Sequence, residues 1–73
     1  MRNNMRAERK RKNLTLEQVG EIIGAHPNAV NRWEMGHTEP TSSNLIALCS
    51  LYGCSPEYLL DMTDDPHASA VAS

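Results

Sequence analysis

Phenylalanine is absent from this 73-residue sequence, and aromatic residues make up only 4% of it. Leucine, isoleucine and valine together number 13, about 18% of the chain, so the apolar core must be thin. A domain of this size buries only about 60% of the surface of its unfolded chain. Few side chains remain to build a deep catalytic cavity, and more than one domain is excluded. The sequence therefore predicts a small single domain that is not an enzyme.

Long apolar runs are also missing, since no stretch approaches the roughly 18 residues of a membrane helix. The basic N-terminal stretch is not followed by the apolar segment of a secretion signal. Cys49 and Cys54 lack the spacing and the histidine partners of a zinc site, and two cysteines are too few for a disulfide scaffold. We therefore expect a cytoplasmic protein with reduced cysteines and without membrane, metal, cofactor or small-molecule substrate.

Charge is distributed unevenly along the chain. Residues 1–12 hold six Lys or Arg against Glu8, a net charge of +5, while residues 13–73 hold Arg32 alone against eight acids, a net charge of −7. A basic end of this kind is compatible with a polyanionic partner. A solvated basic helix is the alternative interpretation.

Helix signals are clearest between residues 15 and 36. Thr15 followed by Gln18 forms a capping box, so a helix is predicted over 16–23, ended by Gly24. Pro27 suits the first turn of a second helix, over about 27–35, which Gly36 ends. Two short helices joined by a turn containing glycine are typical of the helix-turn-helix.

Three further helices are predicted around this pair. One covers residues 5–12, capped by Asn3 or Asn4. Another follows the cap at Thr41 and ends at Gly53, and a last short helix begins after Ser55. From Met62 the sequence is small and polar, so we predict a domain over 1–61 and a flexible polar tail over 62–73.

Many landmarks at a characteristic spacing resemble the Cro/C1-type (XRE-like) helix-turn-helix family. They are Leu14-Thr15, Val19-Gly20, Gly24, Val30, Arg32-Trp33-Glu34, Gly36, Pro40-Thr41, Asn44-Leu45 and Gly53-Cys54-Ser55. The resemblance covers about residues 5–61. It implies an all-α fold, a compact, lambda-repressor-like five-helix bundle in which the third helix enters the major groove of DNA.

Base-reading positions follow from the resemblance and lie at the start and on the outward face of the third helix. They are His26, Pro27, Asn28, Asn31 and Arg32. Asn can pair with adenine and Arg with guanine through two hydrogen bonds each. The alternative is that these polar side chains merely solvate an exposed helix.

The resemblance also implies contacts to the DNA backbone from the start of the second helix, from the loop after the third, and from the first helix. The candidates are Thr15, Leu16, Glu17, Gln18, His37, Thr38, Thr41, Arg6, Lys10 and Arg11. Family members usually have Gln where this chain has Leu16. The affinity of this chain for DNA phosphates, or its register on the duplex, can therefore differ from that of a typical member.

Structural roles are implied for a further set of residues. Arg9 and Glu34 occupy the positions of an internal ion pair, and Tyr58 is a candidate dimer contact, whereas Trp33 is predicted to be core rather than a base-stacking ring. The predicted core is Met5, Leu14, Val19, Ile23, Val30, Trp33, Leu45, Leu48, Cys49, Tyr52, Leu59 and Leu60.

The function predicted from these residues is a sequence-specific transcriptional regulator of double-stranded DNA. We expect a small repressor of phage or mobile-element type that acts as a homodimer on a pseudo-palindromic operator. The alternative is an antitoxin-like module that binds a protein partner, with DNA binding secondary or lost. Leu16 and the net charge of −2 favour the antitoxin-like alternative. An exposed polar stripe on the third helix would favour the DNA-binding regulator.

Overall fold

The computed structural model describes residues 2–67, which form five helices and no strand. The predicted all-α, five-helix fold is thereby confirmed. The helices are α1 (Asn3–Arg11), α2 (Leu16–Ile23), α3 (Pro27–Met35), α4 (Ser42–Tyr52) and α5 (Pro56–Leu59). The longest of them has 11 residues, far from the roughly 20 that span a bilayer, so no helix within residues 2–67 could cross a membrane.

Short-range capping defines α2, α4 and α5. Thr15, Thr41 and Ser55 each accept a hydrogen bond from the backbone N–H three residues later, which satisfies one of the donors that a helix start leaves unpaired. Gly24 ends α2 at φ 77°, in the left-handed region that side chains disfavour. Because these signals are local, the predicted bounds of α2 and α3 agree with the structure.

The start of α1 differs from the prediction. The helix begins at Asn3, and neither Asn3 nor Asn4 caps it through its side chain. Instead, the two carboxylate oxygens of Asp61 accept the backbone N–H groups of Asn3 and Asn4, at 2.8 and 3.0 Å. The cap therefore comes from the far end of the domain, and a local sequence pattern could not reveal it.

Seven apolar residues from all five helices are buried together. They are Met5, Val19, Val30, Trp33, Leu48, Tyr52 and Leu59, each contributing about 1.5–3 kcal/mol when fully buried. The predicted core members Leu14, Ile23, Leu45 and Cys49 pack against this cluster but are only half-buried, as is Leu60. Cys49 and Cys54 are both free thiols.

The first part of the predicted tail contacts the helices. The backbone N–H of Ser55 donates to the carbonyl of Pro66 at 2.7 Å, and Asn4 Nδ2 donates to the carbonyls of Tyr58 and Thr63. Residues 68–73 lie outside the described residues. The domain boundary at residue 61 and the flexible tail remain predictions.

Candidate nucleic-acid interface

The outward face of α3 is a polar stripe. Asn28, Asn31 and Arg32 are all exposed, and because they are spaced i, i+3 and i+4 they share one face of the helix. On the opposite face, Val30 and Trp33 are buried in the core. The core thus holds α3 rigidly while three side chains that can form hydrogen bonds to bases face outward.

His26 both caps α3 and contributes to this stripe. Its Nδ1 accepts the backbone N–H of Asn28 at 3.1 Å, so the ring carries its proton on Nε2, which is left to donate outward. Pro27 is half-buried at the first helical position. The structure therefore brings all five predicted base-reading residues to the start and the exposed side of α3.

The turn between α2 and α3 depends on Gly20, whose role the sequence pattern did not assign. A Cβ at this buried position would collide with the carbonyl oxygen of Ala25. The Gly20 carbonyl accepts the N–H groups of Gly24 and Ala25, both at 2.8 Å. This close approach lets the turn fold back onto α2 and sets the position of α3 relative to α2.

The start of α2 uses two predicted backbone contacts for its own cap. Thr15 Oγ1 accepts the N–H of Gln18 at 3.1 Å, and Gln18 Oε1 accepts the N–H of Thr15 at 2.8 Å. The side chain of Leu16 packs against the core, so it is not free to contact a phosphate. The N–H groups of Leu16 and Glu17 remain, because the first turn of a helix has no internal acceptor for them.

The loop between α3 and α4 exposes the remaining predicted contacts. His37, Thr38 and Thr41 are all exposed. Thr41 Oγ1 caps α4 by accepting the N–H of Asn44 at 3.3 Å, while His37 is held by its N–H, which donates to the carbonyl of Arg32 at 3.0 Å. The loop therefore continues the exposed surface that begins at the end of α3.

The basic residues of the N-terminal segment fall into two groups. Arg2, Arg9 and Arg11 form ion pairs with Glu39, Glu34 and Glu8. Arg6, Lys10 and Lys12 are exposed and form no ion pair with any residue from 2 to 67. Arg6 and Lys10 line a shallow pocket of about 260 Å³ with Asn3 and Ala7, so this face of α1 keeps an unneutralised positive charge.

Arg9 and Glu34 join α1 to α3. Arg9 Nε and Nη2 donate to the two oxygens of Glu34 at 2.7 and 3.0 Å, and Nη1 donates to the carbonyl of Leu14 at 3.0 Å. The Arg9 and Glu34 side chains are 13% and 3% exposed. The hydrogen bond to Glu34 raises the pKa of Arg9 despite its burial.

The hydroxyl of Tyr52 is also buried, and it has no hydrogen-bond partner within residues 2–67. Burial raises the pKa of Tyr52.

Tyr58 is half-buried, and its hydroxyl donates to Glu8 Oε2 at 3.3 Å. Glu8 Oε1 accepts from Arg11 Nε and Nη2 at 2.8 and 2.6 Å. Sequence reasoning missed this cluster because Glu8 stands among cations, although its spacing to Arg11 is that of an i, i+3 helix pair. Arg11 is therefore engaged by a carboxylate, unlike Arg6 and Lys10.

Other kinds of site find little support in residues 2–67. No group of three His, Cys, Asp or Glu side chains is placed to hold a metal ion there. The exposed apolar surface near α2 is a groove of about 380 Å³ lined by Leu14, Gln18, Glu21 and Ile22. Ile22 is 57% exposed, so this apolar surface lies apart from the polar face of α3.

Sequence comparisons identify relatives among bacterial and phage regulators. The Helix-turn-helix family matches residues 5–59. Repressor protein C2 of Salmonella phage P22 is 39% identical over 56 residues, which cover 77% of this chain and 26% of that protein. The uncharacterised HTH-type transcriptional regulator YobD of Bacillus subtilis (strain 168) is 37% identical over 62 residues, covering 85% of this chain and 55% of YobD.

A third relative, the HTH-type transcriptional regulator DicA of Escherichia coli (strain K12), is 36% identical over 58 residues, which cover 77% of this chain and 43% of DicA. The chain thus spans from about a quarter to just over half of the length of these curated relatives.

Two solved structures share the fold. The crystal structure of the P22 c2 repressor in complex with synthetic operator 9T, in the presence of Tl⁺, has a TM-score of 0.75 and 37% identity, covering 81% of this chain and 89% of that one. The solution structure of the DNA-binding domain of the P22 c2 repressor has a TM-score of 0.70 and 38% identity, covering 80% of this chain and 76% of that one. At this level of identity, both the fold and the order of helices are shared.

Proposed function

Because this chain belongs to the Cro/C1-type helix-turn-helix family, we propose that it is a sequence-specific regulator of transcription that binds double-stranded DNA. The observation that carries the proposal is the exposed stripe of Asn28, Asn31 and Arg32 on a helix whose other face is buried. The P22 c2 repressor, which shares the fold, was crystallised with operator DNA. We further propose a repressor of phage or mobile-element type.

In this function, α3 enters the major groove and reads base edges. Asn28 and Asn31 suit adenine, Arg32 suits guanine, and Pro27 offers an apolar contact to a thymine methyl group. His26 can donate from Nε2 because Nδ1 is used in the cap. The burial of Val30 and Trp33 supports this role, since a rigid helix loses little conformational entropy on binding.

Phosphate contacts hold the domain on the duplex. The free N–H groups at the start of α2 favour an anion, so Leu16 and Glu17 contribute through the backbone rather than through their side chains. Arg6 and Lys10 supply positive charge that no carboxylate among residues 2–67 neutralises. Local charge of this kind matters because the net charge of the chain is −2 and phosphate contacts supply much of the affinity.

We also propose that two copies bind together as a homodimer on a pseudo-palindrome. One α3 contacts only a few base pairs. Two copies related by a two-fold axis contact twice as many, because each copy places its own α3 in the major groove. Tyr58, half-buried on α5, is the candidate contact between the copies. A cytoplasmic location accompanies the proposal, because the DNA of bacteria and their phages is reached there.

Binding of a protein partner, as in an antitoxin, is a second candidate function. The observation that favours it is the groove beside α2, where Ile22 is 57% exposed next to Leu14. This surface does not involve the polar stripe of α3, so the two candidates make different predictions for variants of α3.

The two candidates are separated by comparing a selected DNA site with random DNA. The preferred site is first selected from a random pool at low salt. Arg32→Ala and Asn28→Ala should each lose about 1–3 kcal/mol of binding free energy on that site and much less on random DNA, because base contacts specify the sequence. Lys10→Ala should weaken binding to all sequences alike. It should also reduce the slope of log binding constant against log salt concentration by roughly one, the value for one lost phosphate contact.

A wild-type protein without sequence preference at low salt would contradict readout by α3. The same conclusion would follow if the α3 variants repressed fully in the cell. Either result would favour the protein-partner function. Ile22→Asp, in the groove beside α2, would then be the variant that abolishes binding of the protein partner.

A further inference from the structure

Arg2 lies immediately before α1, and its side chain contacts the C-terminal end of α3. Its Nη1 donates to the carbonyl oxygens of Trp33 and Thr38, both at 2.7 Å. Its backbone N–H donates to the carbonyl of Glu34, also at 2.7 Å. The side chain is only 13% exposed, and Nη2 lies 3.8 Å from Glu39 Oε1. The hydrogen bonds of Arg2 are therefore made to the end of α3 and to the loop that follows it.

These contacts join two segments that the backbone alone leaves loosely connected. The carbonyl of Trp33 already accepts the N–H of Gly36 at 3.2 Å and has a second lone pair for Arg2, and a cation at the end of a helix complements the helix dipole. The carbonyl of Trp33 belongs to α3, whereas that of Thr38 belongs to the loop between α3 and α4. Both bonds come from the same nitrogen, Nη1, whose two hydrogens lie in the rigid plane of the guanidinium and so hold the two oxygens in a fixed geometry, whereas a lysine ammonium is a point charge on a flexible chain.

Apart from Arg2, the loop is held at its start by backbone bonds, from the N–H of Gly36 to the carbonyl of Trp33 and from the N–H of His37 to the carbonyl of Arg32. Residues 36–39 are all exposed, so core packing contributes little to their placement. The bidentate pair of Arg9 with Glu34 already ties α1 to α3. When Arg2 is removed, α3 keeps this pair, whereas the loop loses the bond from Arg2 to the carbonyl of Thr38.

We propose that Arg2 is a positioning residue for DNA binding, which holds the α3–α4 loop so that it meets a phosphate while α3 meets the bases. This inference rests on the proposed function. Arg2 itself does not contact DNA in this role, because its side chain is buried against the two carbonyl groups. Loss of Arg2 should therefore cost affinity through the loop and leave the preference for bases unchanged.

The test compares Arg2→Ala and Arg2→Lys with Lys12→Ala, a matched control that removes one positive charge from the same segment. Lys12 is exposed and has no ion pair with residues 2–67. On the selected site, Arg2→Ala should bind about tenfold more weakly at 0.1 M salt, with the same base preference. Arg2→Lys should recover part of this loss, and Lys12→Ala should stay close to the wild type.

Two readouts separate positioning from stability or net charge. The first is a scan in which single phosphates of the duplex are replaced by uncharged methylphosphonates. Arg2→Ala should lose sensitivity at the phosphates that the loop contacts and keep it at those contacted by α2. The second is amide hydrogen exchange of the free protein, in which the N–H of His37 should exchange faster in Arg2→Ala while that of Val19 is unchanged.

Each outcome is decisive. If the wild type binds no DNA at low salt, the proposed function fails and this inference fails with it. If the wild type binds and Arg2→Ala keeps the same affinity, phosphate sensitivity and His37 exchange, only the role of Arg2 is overturned. An equal loss in Arg2→Ala and Lys12→Ala would assign the effect to charge and also overturn it. If Arg2→Ala does not fold, Arg2→Lys decides in the same two readouts, where wild-type values overturn the role.

Discussion

Glu8 stands among six cations in the first 12 residues and is nevertheless only 7% exposed. It connects α1 to α5, since its carboxylate accepts from Arg11 and from the hydroxyl of Tyr58. Burial by itself would raise the pKa of Glu8, but the hydrogen bonds and charge of Arg11, together with the hydrogen bond from Tyr58, hold it below its ordinary value of 4.5. The charged carboxylate is thus part of the folded structure.

A pH dependence of stability follows from this lowered pKa. The folded protein binds the Glu8 proton less tightly than the unfolded chain does, so the contribution is complete above pH 4.5 and is lost as the pH falls through the folded-state pKa. We expect Glu8→Gln to be less stable than the wild type at pH 7 and the difference to shrink on acidification to pH 3. Urea unfolding at a series of pH values measures this.

A double-variant cycle with Arg11→Ala provides the control. In the Arg11→Ala background, Glu8→Gln should have a smaller effect at pH 7, because the main partner of the carboxylate is gone. A difference between wild type and Glu8→Gln that is constant from pH 3 to 7 would show that Glu8 does not carry this charge-dependent stability.

At the scale of elements, α1 and the residue before it contact the end of α3 at two places. Arg9 pairs with Glu34 in the last part of α3, and Arg2 donates to the carbonyl of Trp33 in α3 and to that of Thr38 in the loop that follows. The α2–α3 pair is packed closely because Gly20 lacks a side chain. The orientation of the exposed stripe therefore depends on the pair of Arg9 with Glu34 as well as on the turn after α2.

Removal of Arg9 should destabilise the domain severely. Arg9→Ala leaves the carboxylate of Glu34 buried without its partner, which costs about 3–5 kcal/mol. For so small a core, this loss can unfold the protein. Thermal or urea unfolding measures it, with Lys10→Ala as the control, since Lys10 is an exposed neighbour without an ion pair among residues 2–67 and should shift stability by no more than about 0.5 kcal/mol. An unchanged midpoint for Arg9→Ala would mean that the pair contributes nothing.

At the scale of the whole molecule, the five short helices within residues 2–67 share one core of seven buried apolar residues. In the proposed function a domain of this size has one α3 for the DNA, which limits both the number of base contacts and the affinity. Pairing of two copies would place two such helices on successive turns of one face of the duplex.

We therefore expect cooperative binding to two half-sites whose centres lie about 34–36 Å, one helical turn, apart. Sedimentation of the protein with a half-site duplex and with a full-site duplex should give one copy on the former and two on the latter, with tighter binding per copy on the full site. Tyr58→Ala should reduce this gain while keeping affinity for the half-site. Binding of a single copy to both duplexes with equal affinity would contradict the dimer proposal.

Local chemistry in the sequence was sufficient to predict α2, α3 and the glycine-ended turns, because each cap forms between residues two to four positions apart. The capping box of Thr15 and Gln18 is formed as predicted. The base-reading positions came from the resemblance, and the structure places them on the exposed side of α3. The whole five-helix fold was predictable for the same reason, since helix signals and family spacing agreed.

Apart from the pair of Arg9 with Glu34, which the resemblance implied, tertiary structure decided which polar residues are engaged inside the domain. Arg2, Glu8 and Asp61 find their partners across 31, 50 and 58 positions of sequence, and no periodic pattern encodes such distances. Arg6 and Lys10 resemble Arg9 and Arg11 in the sequence, yet only the latter pair is matched to carboxylates. Which cations remain free for a phosphate is set by the carboxylates of Glu8 and Glu34, which are buried and therefore need a charged partner.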